Sequence, residues 1–222
     1  MTPQAVLFDC DGVIVDSEPI AFAILSADLA RHGLPTDHAQ MNVLFLGGTV
    51  PDLFHKARAL GAALPDDWVS DFYSRLYTRL ADGVPLVAGI LAVLDRLDAA
   101  GIPYAIGSNG SDEKMRIMLG QHPGLIVRFR GHLYSGQTLG LPKPAPDLYL
   151  HAAKALGIAA AGCVVIEDSP TGARAARAAG GAALHEERFS GHQFRAVIHV
   201  VPDGEAGLRQ RRGLGHGCGS RR

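Results

Sequence analysis

Ala5-Val6-Leu7-Phe8 is an unbroken apolar run that stops on Asp9-Cys10-Asp11-Gly12, with Asp16-Ser17-Glu18-Pro19 just behind it. A short apolar run of this kind reads as a strand buried in a sheet. Its end delivers two like charges to one place. Residues two apart in an extended segment point the same way, so Asp9 and Asp11 start side by side while Cys10 faces elsewhere. Two carboxylates that close repel, unless they share a proton or a cation sits between them. Gly12 lets the chain turn sharply or come close to a ligand. The plain alternative is a surface turn, since aspartate and glycine are ordinary turn residues.

The rest of the chain repeats this punctuation. Residues 20–32 read as a helix, with Ile20, Ile24, Leu25 and Leu29 at helical spacing and Gly33 as the stop. Residues 36–77 alternate helical patterns with breaks and hold no convincing strand. Phe54, Trp68, Phe72 and Tyr73 look like the core of a small helical bundle. A helix is expected over 87–100, with Ile90, Leu91, Leu94 and Leu97 on one face, then a buried strand over 102–106 that closes in Gly107-Ser108-Asn109-Gly110. Helices follow at 112–119 and 147–156, with an extended piece at 131–135 between them. A third buried strand, 163–166, runs into Glu167-Asp168-Ser169, and an alanine-rich helix covers 172–179. Strands alternating with helices call for an open parallel sheet covered on both faces. The helical block before Pro85 is too long for an ordinary crossover and reads as an inserted helical cap. Residues 196–201 are a candidate edge strand. The tail 204–222 holds six glycines and five arginines without periodicity, and is expected to be mobile and without a catalytic part.

At 222 residues the chain can bury a real core, and 47% hydrophobic with 19% charged residues is an ordinary globular composition. A formal net charge of −1 offers no field for nucleic acid. The three cysteines, Cys10, Cys163 and Cys218, are far apart; they fit a reducing, cytoplasmic setting and form no metal-binding cluster. Neither a signal peptide nor a membrane span is expected, because Asp9 and Asp11 break the first apolar stretch and no later run is long enough. No obligate protein partner is evident.

Four segments therefore end in polar groups: Asp9 with Asp11, Ser108 with Asn109, Lys143, and Glu167 with Asp168. In an open parallel sheet, ligands bind beyond the carboxyl ends of the strands. Carboxylates converging this densely call for a hard cation, and magnesium is the natural occupant. Lys143 and the amides after Ser108 are placed to grip a dianionic phosphoryl group. Each residue also has a structural reading. Lys143 before Pro144 reads equally as a solvated loop lysine, Ser108-Asn109-Gly110 as a turn before a helix capped by Ser111 or Asp112, and Ser169-Pro170 as a helix cap and first turn.

The motifs together, Asp9 to Glu18, Ser108-Asn109, Lys143-Pro144 and Glu167-Asp168-Ser169-Pro170-Thr171-Gly172, resemble the four signatures of the haloacid-dehalogenase-like hydrolase superfamily. The likeness spans residues 4–184 and is to the helical-cap subgroup that holds phosphoglycolate phosphatases and beta-phosphoglucomutases. Shorter stretches, among them Ser108-Asn109-Gly110 followed by Lys114-Met115, resemble the bacterial 6-phosphogluconate phosphatase type. The resemblance implies a Rossmann-like α/β core over 1–16 and 86–203, with a helical cap over 17–85. It implies that Asp9 is the nucleophile and Asp11 the general acid and then base, its backbone carbonyl also touching the metal. Ser108, Asn109 and Lys143 hold the phosphoryl group, and Lys143 also restrains Asp9. The resemblance also implies Mg2+ at Asp9, Asp11 and Asp168, with Glu167 either ligating it or acting through water. Gly48 and Thr49 are the cap positions expected to face the substrate, a small phosphate ester.

Two departures matter. Mutases of this family carry a histidine where this chain has Ala21, and a basic residue where it reads Gly47-Gly48-Thr49. The expectation is therefore a magnesium-dependent phosphatase acting on a sugar or sugar-acid monophosphate, with a phosphomutase and a catalytically silent binding protein as the rivals. Lys56, Arg58 and Arg75 are the cap cations that remain to be located.

Overall fold

The computed structural model describes residues 2–37, 40, 41, 44, 49–180, 182–186 and 196–199. Six strands form one sheet: β1 (Ala5–Phe8), β2 (Tyr104–Ser108), β3 (Leu133–Ser135), β4 (Cys163–Glu167), β5 (Ala182–Glu186) and β6 (Ala196–His199). Their order is β3-β2-β1-β4-β5-β6, all parallel except β6, which runs antiparallel along β5 at the edge. Phe8 is in register with Ile106 of β2 and Ile166 of β4. The carboxyl ends of the three central strands thus lie level, and the direction of winding reverses beside β1, where such sheets open a crevice.

β1 reads as a run because both its faces are covered. Val6 and Phe8 enter one apolar cluster with Ile106, Met115 and Phe129, while Ala5 and Leu7 enter the other with Ala105, Tyr149, Ala152 and Ala175. The helices around the sheet are α4 (Ile90–Ala99), α5 (Asp112–Gly120), α6 (Pro123–Arg128), α7 (Gly136–Leu139), α8 (Asp147–Ala155) and α9 (Pro170–Ala178). Helix α4 starts at Ile90, three residues later than the sequence pattern predicts, because Gly89 at φ 85° caps it in a left-handed conformation. Leu91 is 48% exposed, so only Ile90 and Leu94 of that helix are buried outright. β2 begins after Pro103, which has no N–H to give a ladder, although its carbonyl accepts from Val6. Helix α6 and strand β5 have no counterpart in the sequence reading. One is six residues long and the other is alanine-rich with a charged end, so neither carries a readable period. The edge strand expected at 196–201 is found as Ala196–His199; the tail 204–222 lies outside the described residues. No helix among the described residues is long and apolar enough to cross a membrane.

Between β1 and α4 the chain builds the cap, with α1 (Glu18–Arg31), α2 (Val50–Ala59) and α3 (Trp68–Ala81). The rings of Phe54, Trp68 and Phe72 stack in series at 6.2 and 5.4 Å. The two connections between core and cap run side by side: Asp16 N donates to Pro85 O at 2.9 Å and Val87 N to Ile14 O at 3.0 Å. Inside the cap lies Asp28, which is 1% exposed. It accepts from Trp68 Nε1 at 3.1 Å, from the Arg75 fork at 3.0 and 2.5 Å, and from Arg31. Burial works against its ionisation, but the arginine hydrogen bonds outweigh that and hold the carboxyl below the ordinary aspartate range. A carboxyl held low in the fold adds stability above the unfolded value, and that stability is lost as pH falls through and below about 4. Asp28→Ala is expected to destabilise the protein by about 2–3 kcal/mol at neutral pH, because it strands two hydrogen-bonded cations and an indole N–H. Urea melts should show this gap closing in acid; a variant as stable as the wild type at pH 7 contradicts it.

Candidate active site

The strand ends bring Asp9, Lys143 and Glu167 into one buried group. Lys143 Nζ lies 2.7 Å from Asp9 Oδ1 and 2.5 Å from Glu167 Oε1. Glu167 is fully buried and hydrogen-bonded at both oxygens: Tyr149 OH donates to its Oε1 at 2.6 Å, and Ser169 donates to Oε2 from Oγ at 3.0 Å and N at 3.3 Å. The Lys143 ammonium also stands over the Tyr149 ring, 4.9 Å from its centre. Burial would lower the Lys143 ammonium, but Asp9 and Glu167 outweigh it and hold the charge. Burial and the Glu167 carboxylate push Asp9 up to about 7, with Lys143 pulling against them. Two glycines permit this crowding. A Cβ on Gly172 would stand 1.8 Å from Glu167 Oε1, and one on Gly12, itself at φ 75°, 1.8 Å from Asp168 Oδ2.

Asp11 belongs to a second group. Its Oδ1 accepts from Ser17 Oγ and from Lys114 Nζ, the latter at 2.7 Å. Burial opposes its charge, but Lys114 and Ser17 outweigh it and keep the carboxyl below its ordinary value. Ser108 is 1% exposed at the tip of β2, and its Oγ accepts from Gly110 N at 3.0 Å. The Asn109 amide grips the Lys143 peptide from both sides: Oδ1 accepts from Lys143 N at 2.8 Å and Nδ2 donates to Lys143 O at 3.2 Å. Asn109 therefore orients the lysine. Ser111 caps α5 and Ser169 caps α9, as their sequence positions predict.

Asp9, Glu167 and Asp168 each offer an oxygen within 4.8 Å of the others. An all-oxygen set of this charge fits a hard divalent cation, and the Glu167 repulsion that adds to burial in pushing Asp9 up is what such a cation relieves. The Asp11 side chain lies outside this set, turned to Lys114.

In the cap, Thr49 starts α2 in a reciprocal cap: its N donates to Asp52 Oδ2 at 2.9 Å, and its Oγ1 accepts from Asp52 N at 3.3 Å. Gly48 lies outside the described residues. The three cap cations have partners within the cap. Arg58 pairs with Asp66, Arg75 with Asp28 and Asp71, and Lys56 Nζ donates to Leu44 O. Sequence reasoning missed Lys114 and Tyr149. Lys114 had a signal, since a lysine in the first turn of a helix opposes the dipole and wants a tertiary reason. Tyr149 had none, being one apolar position of an ordinary amphipathic helix.

A family model described as haloacid dehalogenase-like hydrolase matches residues 3–180. The chain belongs to the haloacid dehalogenase-like hydrolases. Among characterised hydrolases of this family, the chain is 35% identical to a phosphoglycolate phosphatase of Xanthomonas campestris over 180 residues, covering 80% of each chain. It is 30% identical to the 6-phosphogluconate phosphatase of Escherichia coli over 179 residues, covering 80% and 79%. A hydrolase of the family from Deinococcus radiodurans, solved with bound phosphate and sodium, superposes with a TM-score of 0.69 at 36% identity, covering 82% of this chain and 80% of that one. The hydrolase thus sits in the helical-cap group with phosphoglycolate phosphatases. Its likeness to 6-phosphogluconate phosphatase is one of several of the same order and does not single out that activity.

Proposed function

We propose that this hydrolase is a magnesium-dependent phosphatase that cleaves a small soluble phosphomonoester, a sugar or sugar-acid phosphate such as 6-phosphogluconate, with 2-phosphoglycolate and simple hexose phosphates as alternatives. The observation that carries the reading is the Asp9–Lys143–Glu167 group beside Asp168, a carboxylate kept reactive by one buried cation. Asp9 attacks phosphorus, the bond to the ester oxygen breaks, and Asp11, which takes up a proton from solvent before the step against the pull of Lys114 and Ser17, gives it to that oxygen. Water then attacks the aspartyl-phosphate while Asp11 takes the water's proton, which releases phosphate and restores Asp9. Ser17 and Lys114 both hold Asp11 Oδ1, which leaves Oδ2 to be offered to the leaving group. Lys143 offsets the repulsion between Asp9 and the phosphoryl oxygens, with Ser108 at their other side and Asn109 keeping the lysine aimed. Asp9 and Asp168, with Glu167 and the Asp11 carbonyl, would hold magnesium, which when bound would supply the remaining positive charge.

The cap favours metabolites small enough to be enclosed. Thr49 stands where mutases tend to carry the basic residue that grips a second phosphate, and Ala21 where they carry a histidine, which suits a phosphatase acting on a monophosphate. Phosphate release from a panel of sugar and sugar-acid phosphates, before and after chelation and with magnesium restored, tests the reading. Magnesium-dependent release is expected. Isomer formation outpacing release from a hexose 1-phosphate would make it a mutase, and magnesium binding with no turnover of any ester would make it a binding protein.

A further inference from the structure

Lys114 carries a charge that the attack by Asp9 does not call on. Its side chain is 19% exposed, in the first turn of α5, with Nζ 2.7 Å from Asp11 Oδ1. The cap comes down on the same turn. Tyr77 OH and Ser111 Oγ are 2.9 Å apart, and Ser111 Oγ also accepts from Lys114 N at 3.1 Å. Tyr73, one turn before Tyr77 with its ring 6.1 Å away, is near enough that Lys114 opposes the upward push that burial and Tyr77 give its phenol. Lys114 thus stands where core, cap and Asp11 meet.

On the phosphatase reading, Asp11 touches the leaving oxygen. A donor bonded to Asp11 Oδ1 then lies within about 8 Å of an oxygen bonded to Oδ2, the span of two hydrogen bonds and the carboxylate between them. An ammonium carries three donors, so the bond to Asp11 leaves it capacity for a second anionic partner. The Lys114 side chain is itself partly shielded from water, at 19% exposure, where a charge contact counts for more than at an open surface.

We propose that Lys114 reads a carboxylate on the leaving group, and that the preferred substrates are short phosphorylated acids whose carboxylate lies within two or three bonds of the ester oxygen. The inference rests on the phosphatase reading and narrows it. 2-Phosphoglycolate has this geometry; 6-phosphogluconate, with its carboxylate at the far end of the carbon chain, does not.

The test compares kcat and KM for 2-phosphoglycolate, its neutral analogue 2-hydroxyethyl phosphate, and 6-phosphogluconate. The wild type is expected to favour 2-phosphoglycolate over 2-hydroxyethyl phosphate by about tenfold to a hundredfold in kcat/KM, and over 6-phosphogluconate as well. Lys114→Met is expected to lower kcat for all three by a common factor, because Asp11 loses its support, and to raise KM for 2-phosphoglycolate alone. Lys114→Arg should restore most of the preference. A wild-type ratio near one overturns the proposal, as does a Met variant that slows every ester while keeping the ratio. Wild-type protein that hydrolyses hexose phosphates but none of these three overturns the proposal alone, whereas protein that hydrolyses no phosphomonoester overturns the phosphatase reading itself. Lys114→Gln, close in length, replaces the Met variant if that one does not fold.

Discussion

Asp9→Asn is expected to bring phosphate release below about a thousandth of the wild-type rate, since it removes the proposed nucleophile and leaves nothing in its place. The variant should fold. Asp9 is a buried carboxylate pushed up by burial and by Glu167, so the neutral amide removes one member of a repelling pair. Lys143 keeps Glu167 as its partner, and Glu167 keeps Tyr149 and Ser169. Thermal melts should therefore put the variant at or slightly above the wild type. A folded variant that keeps a tenth of the activity would show that the phosphoryl group is not passed to Asp9.

The second large effect is at Lys143. Lys143→Ala removes the ammonium that lies 2.7 Å from Asp9 and 2.5 Å from Glu167. A charge-assisted contact of this kind is worth roughly 2–4 kcal/mol in the transition state, or about 30-fold to nearly 1000-fold in rate. The substitution also leaves two buried carboxylates without their cation, which costs about 3–5 kcal/mol of stability. The two effects separate, because the rate is read on protein shown by circular dichroism to be folded. Magnesium at saturation should recover part of the stability and little of the rate. A loss of rate below threefold contradicts the role given to Lys143.

What could be read from the sequence follows from where chemistry and periodicity coincide. β1, β2 and β4 are legible because apolar runs end abruptly on charge or on Ser108-Asn109, and one rule of sheet topology then brings those ends together. The cap is legible through Phe54, Trp68 and Phe72 as a bundle core, while their stacking across two helices comes from the fold. Leu91 was misplaced because an apolar residue at helical spacing does not say which side is covered. The bond from Lys114 to Asp11 joins residues 103 apart in the chain, and that from Tyr149 to Glu167 joins residues 18 apart. No local pattern encodes such pairings. Asn109 was legible as a site position, but its grip on the Lys143 peptide emerged only from the fold.

The central claim is that the phosphoryl group passes through Asp9, and the most direct measurement looks for it there. Folded, magnesium-loaded enzyme is mixed with 2-phosphoglycolate carrying a labelled phosphoryl group, quenched in acid within the first turnover, and mapped by peptide mass spectrometry. The account predicts a labelled phosphoryl group on Asp9 that appears before free phosphate and disappears as phosphate is released. Release of labelled phosphate at full rate with Asp9 unmodified at every quench time would contradict it.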